Sequence, residues 1–99
     1  MERSYLVLYD LSSQKALRRA ARACRDCGLR RLQRSVFAGD LQPAAYQLLC
    51  QKMQSLVDSA PDQILIIALS PKALGQAVSF SVPDAEIDLS VSEVPVTFL

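Results

Sequence analysis

Hydrophobic spacing in this chain switches back and forth between the periods of a strand and of a helix, and that order limits the folds open to it. Tyr5-Leu6-Val7-Leu8-Tyr9 is an unbroken β-prone run stopped by Asp10, so residues 4–10 read as a buried strand. In residues 14–27 the period becomes helical. Leu17, Ala20, Ala21 and Cys24 recur at i, i+3, i+4 and i+7 and must face a core, while Lys15, Arg18, Arg19, Arg22 and Arg25 lie on the other side. Ser12 or Ser13 supplies the helix cap, and Gly28 the left-handed residue that ends the helix. Residues 29–41 are strand-like, but the alternation slips around Gln33, Arg34 and Ser35, where no Gly, Pro or Asn marks a turn. Two strands, or one long bent strand with a bulge, both fit. Pro43 suits the first position of a second helix, with Ala45, Leu48, Leu49, Met53 and Leu56 as its apolar face and Pro61-Asp62 as its break. Residues 63–69 read as a second fully buried strand and residues 70–76 as a loop. Val78, Phe80 and Val82 alternate as a half-buried strand; Ile87, Leu89 and Val91 alternate more weakly. Residues 94–99 are a final β-prone segment in which Pro95 favours an edge.

Helices that alternate with strands, both laid on one sheet face by right-handed crossovers, make an α+β sandwich of the ferredoxin-like βαββαβ kind with extra C-terminal strands. At 99 residues and 51% apolar composition the chain is one domain, 1–99, with its core in about 4–69 and a C-terminal β extension in 70–99 for dimer or partner contacts. The sheet face opposite the helices lacks cover, and a second subunit is the economical way to supply it. The longest apolar run, residues 64–69, is too short to span a membrane, and the run at 5–9 is too short for a signal peptide. Three cysteines, an odd number, fit a reducing compartment, so the expected location is cytoplasmic.

No histidine occurs, which excludes Ser-His-Asp triads, Cys-His dyads and histidine zinc sites within the chain. Charge is divided unevenly: residues 1–40 hold nine Lys/Arg against four acids, and residues 41–99 hold two against six. Eight of those nine bases are Arg, the residue suited to bidentate phosphate contact, although a solvated helix face explains them as well. Asp10 stands at the carboxyl end of a strand, beside Ser12 and Ser13. It is either a helix-capping residue or one of the one or two carboxylates that Mg²⁺ requires, two being supplied when a symmetric dimer brings two copies together. Cys24 and Cys27 form a CxxC, but helical spacing puts Cys24 in the apolar stripe and makes core packing the stronger reading, as for Cys50. Tyr5, Tyr9, Phe37 and Tyr46 are placed like core residues rather than base-stacking ones. Gly28, Gly39 and Gly75 are isolated, so no glycine-rich loop cradles phosphate.

Two segments together resemble a known family. Tyr5-Leu6-Val7-Leu8-Tyr9-Asp10-Leu11-Ser12 is similar to the opening strand and Asp signature of CRISPR-associated protein 2, the small subunit of the prokaryotic spacer-acquisition machinery. Leu32-Gln33-Arg34-Ser35-Val36-Phe37-Ala38-Gly39-Asp40-Leu41 is similar to its second signature, and the resemblance covers roughly residues 4–69. It implies a ferredoxin-like homodimer whose last strand packs on the partner's sheet. It also implies metal-dependent endonuclease chemistry on RNA or DNA, with Asp10 as the catalytic and Mg²⁺- or Mn²⁺-binding residue. Phosphate contacts on double-stranded DNA, and on RNA, are carried over to Arg18, Arg19, Arg22, Arg31 and Arg34. The implied partner is the integrase, CRISPR-associated protein 1, which the dimer bridges; that adaptor role ranks first, and nuclease and adaptor can share one surface. Ala38 departs from the acid that many members carry, and residues 70–99 are longer and more acidic than in the shortest members. A generic ferredoxin-like regulatory or structural module without nuclease activity is the alternative.

Overall fold

A computed structural model describes residues 3–80. Along it run β1 (Arg3–Asp10), α1 (Gln14–Asp26), β2 (Arg30–Gln33), β3 (Val36–Leu41), α2 (Pro43–Gln54), β4 (Gln63–Leu69) and a one-turn α3 (Pro71–Gly75). The strands form one sheet in the order β2-β3-β1-β4, antiparallel throughout. This is the ferredoxin-like βαββαβ arrangement expected from the alternation of periods. The pleat divides β1 between two environments: Tyr5, Val7 and Tyr9 enter the core with Phe37, Leu41, Leu49 and Met53, while Ser4, Leu6, Leu8 and Asp10 turn to the opposite face.

Helix α1 begins where Ser13 accepts a hydrogen bond from the Ala16 N–H at 3.2 Å, so Ser13 is the cap. Its inward stripe is made of small residues. Ala20, Ala21, Ala23 and Cys24 are buried, which lets the helix lie close on the sheet, and Leu17 packs at the stripe's edge. Gly28 follows with φ +96°, as the termination of α1 requires. Gly39 answers a different need: a Cβ there would come within 3.1 Å of the Leu29 side chain. Helix α2 starts on Pro43 and buries Leu49 and Met53, with Ala45 and Leu56 beside them; Leu48, on the flank of that stripe, is exposed. Tyr46 stacks on Tyr5 with ring centroids 4.5 Å apart.

Residues 29–41 resolve into two strands. Arg34 and Ser35 form the turn, and a register shift between Arg31 and Gln33 produces the slip in the alternation. The Tyr9 N–H donates to the Ser35 carbonyl at 3.1 Å and ties that turn to the end of β1.

Two expectations for the second half change. The supposed loop at 70–76 contains α3, capped by the Ser70 hydroxyl, which accepts from the Ala73 N–H at 3.0 Å, with Pro71 in its first turn. Leu74 from this turn is buried with Leu32 and Ala38 on the face opposite α1 and α2. Strand β4 is not fully buried: Ile64 and Ile66 pack on the core, but Leu65 is 57% and Ile67 36% exposed. Among the described residues it is an edge strand with one face covered by helices and one left open, so the same apolar run has two fates. Val78 and Phe80, expected in a half-buried strand, are exposed and outside regular structure; the Gln33 amide donates to the Ser79 hydroxyl at 2.7 Å. Val82, the alternation at 87–91, the segment at 94–99 and most of the proposed C-terminal β extension lie outside the described residues.

Candidate nucleic-acid interface and metal-binding carboxylate

Asp10 ends β1 on the open sheet face. Its side chain is exposed beside a shallow cleft of about 340 Å³ that Leu8, Gln63 and Leu65 also line, and Gln63 is its partner across the sheet. Among the described residues nothing hydrogen-bonds or ion-pairs its carboxylate. Ser13, not Asp10, caps α1, which removes the capping role. Just beyond Asp10, the Asp62 carboxylate accepts from the Ser12 N–H at 2.9 Å and from the Ser12 hydroxyl at 2.8 Å. These two donors hold the Asp62 carboxyl below the usual carboxylate range. Asp62 therefore fastens the β1–α1 loop to the approach of β4, a contact the sequence reading missed because the residues lie far apart in the chain.

No group of three or more Cys, Asp or Glu side chains able to hold a metal occurs among the described residues. Among the described residues no cation pairs with the Asp10 carboxylate on the open face. That suits a hard divalent cation, which takes one or two carboxylates and completes its shell with water and phosphate oxygens. The cysteines are no alternative. Burial pushes the Cys24 thiol up to about 12, and the Cys27 thiol donates to the Cys24 carbonyl at 3.2 Å. A thiol held protonated is a packing group, as the helical spacing had indicated.

The arginines gather elsewhere. A groove of about 620 Å³ runs between α1 and the β2–β3 turn, lined by Arg18, Arg22 and Arg25 from the helix and by Arg31 and Arg34 from the hairpin. Four of the five arginines singled out from sequence meet there. Arg19 is exposed on α1 and does not line the groove, whereas Arg25, which had not been singled out, does. Helical spacing carries the reason: positions 18, 22 and 25 fall on one face, and position 19 is turned a quarter of the way round. Arg31 lies over the Phe37 ring, 5.1 Å from its centroid. Arg22 approaches Asp26 at 3.9 Å with both side chains largely in solvent, a pair worth little to stability.

Tyr9 forms the buried side of the groove. Burial raises the pKa of its hydroxyl against the opposing pull of Arg31, so it stays protonated. Because consecutive strand residues point to opposite faces, the Tyr9 groove and the Asp10 carboxylate lie on opposite sides of one sheet. A single protomer does not bring them to the same surface.

The family model described as CRISPR associated protein Cas2 matches residues 3–77, three-quarters of the chain. The chain belongs to the Cas2 family. The match runs past the expected core and takes in α3. Among relatives, the CRISPR-associated endoribonuclease Cas2 2 of Pyrobaculum aerophilum is 30% identical over 78 residues, which cover 79% of this chain and 86% of that protein. The CRISPR-associated endoribonuclease Cas2 1 of Archaeoglobus fulgidus is 32% identical over 83 residues, 84% of this chain and 88% of that protein. The crystal structure of Streptococcus pyogenes Cas2 superposes with a TM-score of 0.60 at 30% identity over 68% of this chain and 86% of its own. Another Cas2 crystal structure gives 0.61 at 25% identity, covering 69% of this chain and 75% of that one. Among the described residues no helix of this Cas2-family chain is long and apolar enough to cross a membrane.

Proposed function

We propose that this Cas2-family chain works as a homodimeric, nucleic-acid-binding subunit of CRISPR spacer acquisition that bridges the integrase CRISPR-associated protein 1, with endonuclease chemistry centred on Asp10. The observation that carries the reading is the unpaired Asp10 carboxylate at the rim of an open apolar sheet face. A second copy laid on that face covers Leu65 and Ile67 and brings a second Asp10 into the assembly. The endoribonuclease names of the relatives support the same chemistry.

Asp10 from each copy would hold Mg²⁺ or Mn²⁺. Such an ion, when bound, polarises a phosphodiester and lowers the pKa of its water. The chain's own residues do the rest. The Asp10 carboxylates supply the negative charge that retains the cation, and the Ser12–Asp62 contact steadies the loop that follows them. The arginines neutralise backbone phosphates of duplex DNA or of RNA, which fixes a strand's position without reading its sequence. The sequence holds no histidine to act as a base, so turnover is expected to be slow.

Asp10→Asn tests this reading. Asparagine keeps the size of the side chain and removes the charge that holds a divalent cation. Cleavage of labelled RNA and duplex DNA is expected to need added Mg²⁺ or Mn²⁺, to stop with chelator and to be lost in Asp10→Asn, with the thermal melt unchanged. Spacer integration by the co-purified integrase is expected to survive the substitution. Cleavage at the wild-type rate by Asp10→Asn would remove Asp10 from the chemistry.

A further inference from the structure

The sheet face opposite α1 and α2 is divided along a diagonal. Strand register sets its residues in rows across β3, β1 and β4: Asp40, Ser4 and Leu69; Ala38, Leu6 and Ile67; Val36, Leu8 and Leu65. A last row pairs Asp10 with Gln63. The chain leaving β4 turns back over this face through α3. Leu74 is buried there with Leu32 and Ala38, and Leu6, Val36 and Leu69 pack against them. Ser4, on the same face of β1, is buried with its hydroxyl donating to the Asp40 carboxylate, its neighbour on β3. The Gln33 amide donates to the Ser79 hydroxyl at 2.7 Å and ties the residues after α3 to β2. On β1 and β4 the exposed residues of this face lie at the opposite corner: Leu65 at 57%, Ile67 at 36%, Gln63 and Asp10.

We propose that α3, anchored by Leu74, is a stop that confines a second copy of the chain to the Asp10 corner of the sheet and so brings the two Asp10 carboxylates into one cation site. The proposal rests on the homodimer reading above and adds the element that sets where the second copy lies. Apolar contact is non-directional, so a face bare from Ser4 to Asp10 would accept a second copy at several placements. One placement is selected only where something excludes the others. Leu74 fills the part of the face around Leu6, Leu32, Val36, Ala38 and Leu69, and Leu8, Leu65 and Ile67 are left to make the contact. Asp10 follows Leu8 on the same face, about 7 Å further along the strand, so it falls at the rim of a contact centred on those residues. A two-fold axis through that corner gives each copy the other's Asp10, and a hard divalent cation takes two such carboxylates. Leu74 is thus a positioning residue: it touches no cation and acts through where it lets the partner lie.

The test is Mn²⁺ binding by the metal-free protein, read by electron paramagnetic resonance, beside light scattering and a thermal melt for wild type, Leu74→Ser and Leu74→Met. Wild type is expected to be a dimer that binds Mn²⁺, with the binding lost in Asp10→Asn. Leu74→Ser removes the anchor and bares Leu6, Leu32 and Ala38. It is expected to remain a dimer but to bind Mn²⁺ about tenfold more weakly, as follows if the productive placement falls to about a tenth of the population. Leu74→Met refills the site and is expected to restore wild-type affinity. A Leu74→Ser dimer with wild-type affinity overturns the stop and leaves the paired Asp10 site standing. A folded Leu74→Ser monomer makes α3 part of the contact itself and also overturns the stop. A wild type that is monomeric, or that binds no Mn²⁺, removes the homodimeric Asp10 reading as well. If Leu74→Ser fails to fold, two exposed positions decide, Ala73 on α3 and Leu65 on β4. Ala73→Glu is expected to stay a dimer and Leu65→Glu to become a monomer; loss of the dimer in Ala73→Glu, or its survival in Leu65→Glu, sinks the proposal.

Discussion

Tyr9 and Asp10 are consecutive in β1, so the pleat sends one hydroxyl into the arginine groove and one carboxylate to the open face. One strand end thus serves two surfaces, and each substitution there reads out a different one. Asp62 sets the loop that follows. Its carboxyl is held below the usual range by Ser12, so its contribution to stability is complete above the ordinary carboxylate pKa and is lost as pH falls through the lower folded-state value. Asp62→Asn keeps an acceptor for Ser12 and does not titrate. Thermal melts from neutral pH into the acid range are expected to show a shallower loss for Asp62→Asn than for wild type, and equal slopes would mean that Ser12 does not perturb the carboxyl. At this scale the sequence was partly legible. Asp10 stood out because a charge closes an apolar run, and four groove arginines stood out by type. Arg25 rather than Arg19 was a matter of helical phase, and the Ser12–Asp62 contact depends on tertiary structure that no local pattern encodes.

Elements with a full period were legible. Helix α1 has more than three turns, a serine at its start and glycine after its end, and each of these signals acts locally. Ser13→Ala removes the hydroxyl that accepts from the Ala16 N–H and is expected to cost about 1 kcal/mol, or roughly 4–8 °C in Tm for a domain of this size, measured by thermal unfolding. An unchanged melt would mean that water replaces the cap without loss. The elements that escaped had no period to display. Helix α3 is a five-residue turn, so its signal reduces to Ser70 and Pro71, which also suit a loop. The β2–β3 boundary turns on Arg34 and Ser35 and lacks the residues that usually mark a tight hairpin. Strand β4 was recognised, but its burial was overstated: an apolar run looks the same whether the chain covers both faces or leaves one to another molecule.

At the scale of the whole molecule, the open face is where the proposed function places a second copy. Leu65 and Ile67 are exposed across the sheet from Leu8 and Leu6, and among the described residues α3 covers the part of that face around Leu6, Leu32, Val36, Ala38 and Leu69. An apolar surface of this kind marks an interaction site, and a second copy is the occupant the proposed function requires. Ile67→Glu places a charge in that interface, away from both Asp10 and the arginine groove. Light scattering at micromolar concentration is expected to give a dimer for wild type and a monomer for Ile67→Glu, with a melt showing that the variant still folds. The two surfaces then respond differently. Any cleavage that needs two Asp10 carboxylates is lost with the dimer. Duplex binding through the groove persists, but with a smaller salt dependence. If each protomer neutralises about three phosphates, log affinity falls against log salt with a slope near −5 for the dimer and near −3 for the monomer. A monomeric Ile67→Glu protein that cleaves at the wild-type rate would show that one Asp10 suffices, and the same slope in both proteins would show that only one groove of the dimer engages the duplex.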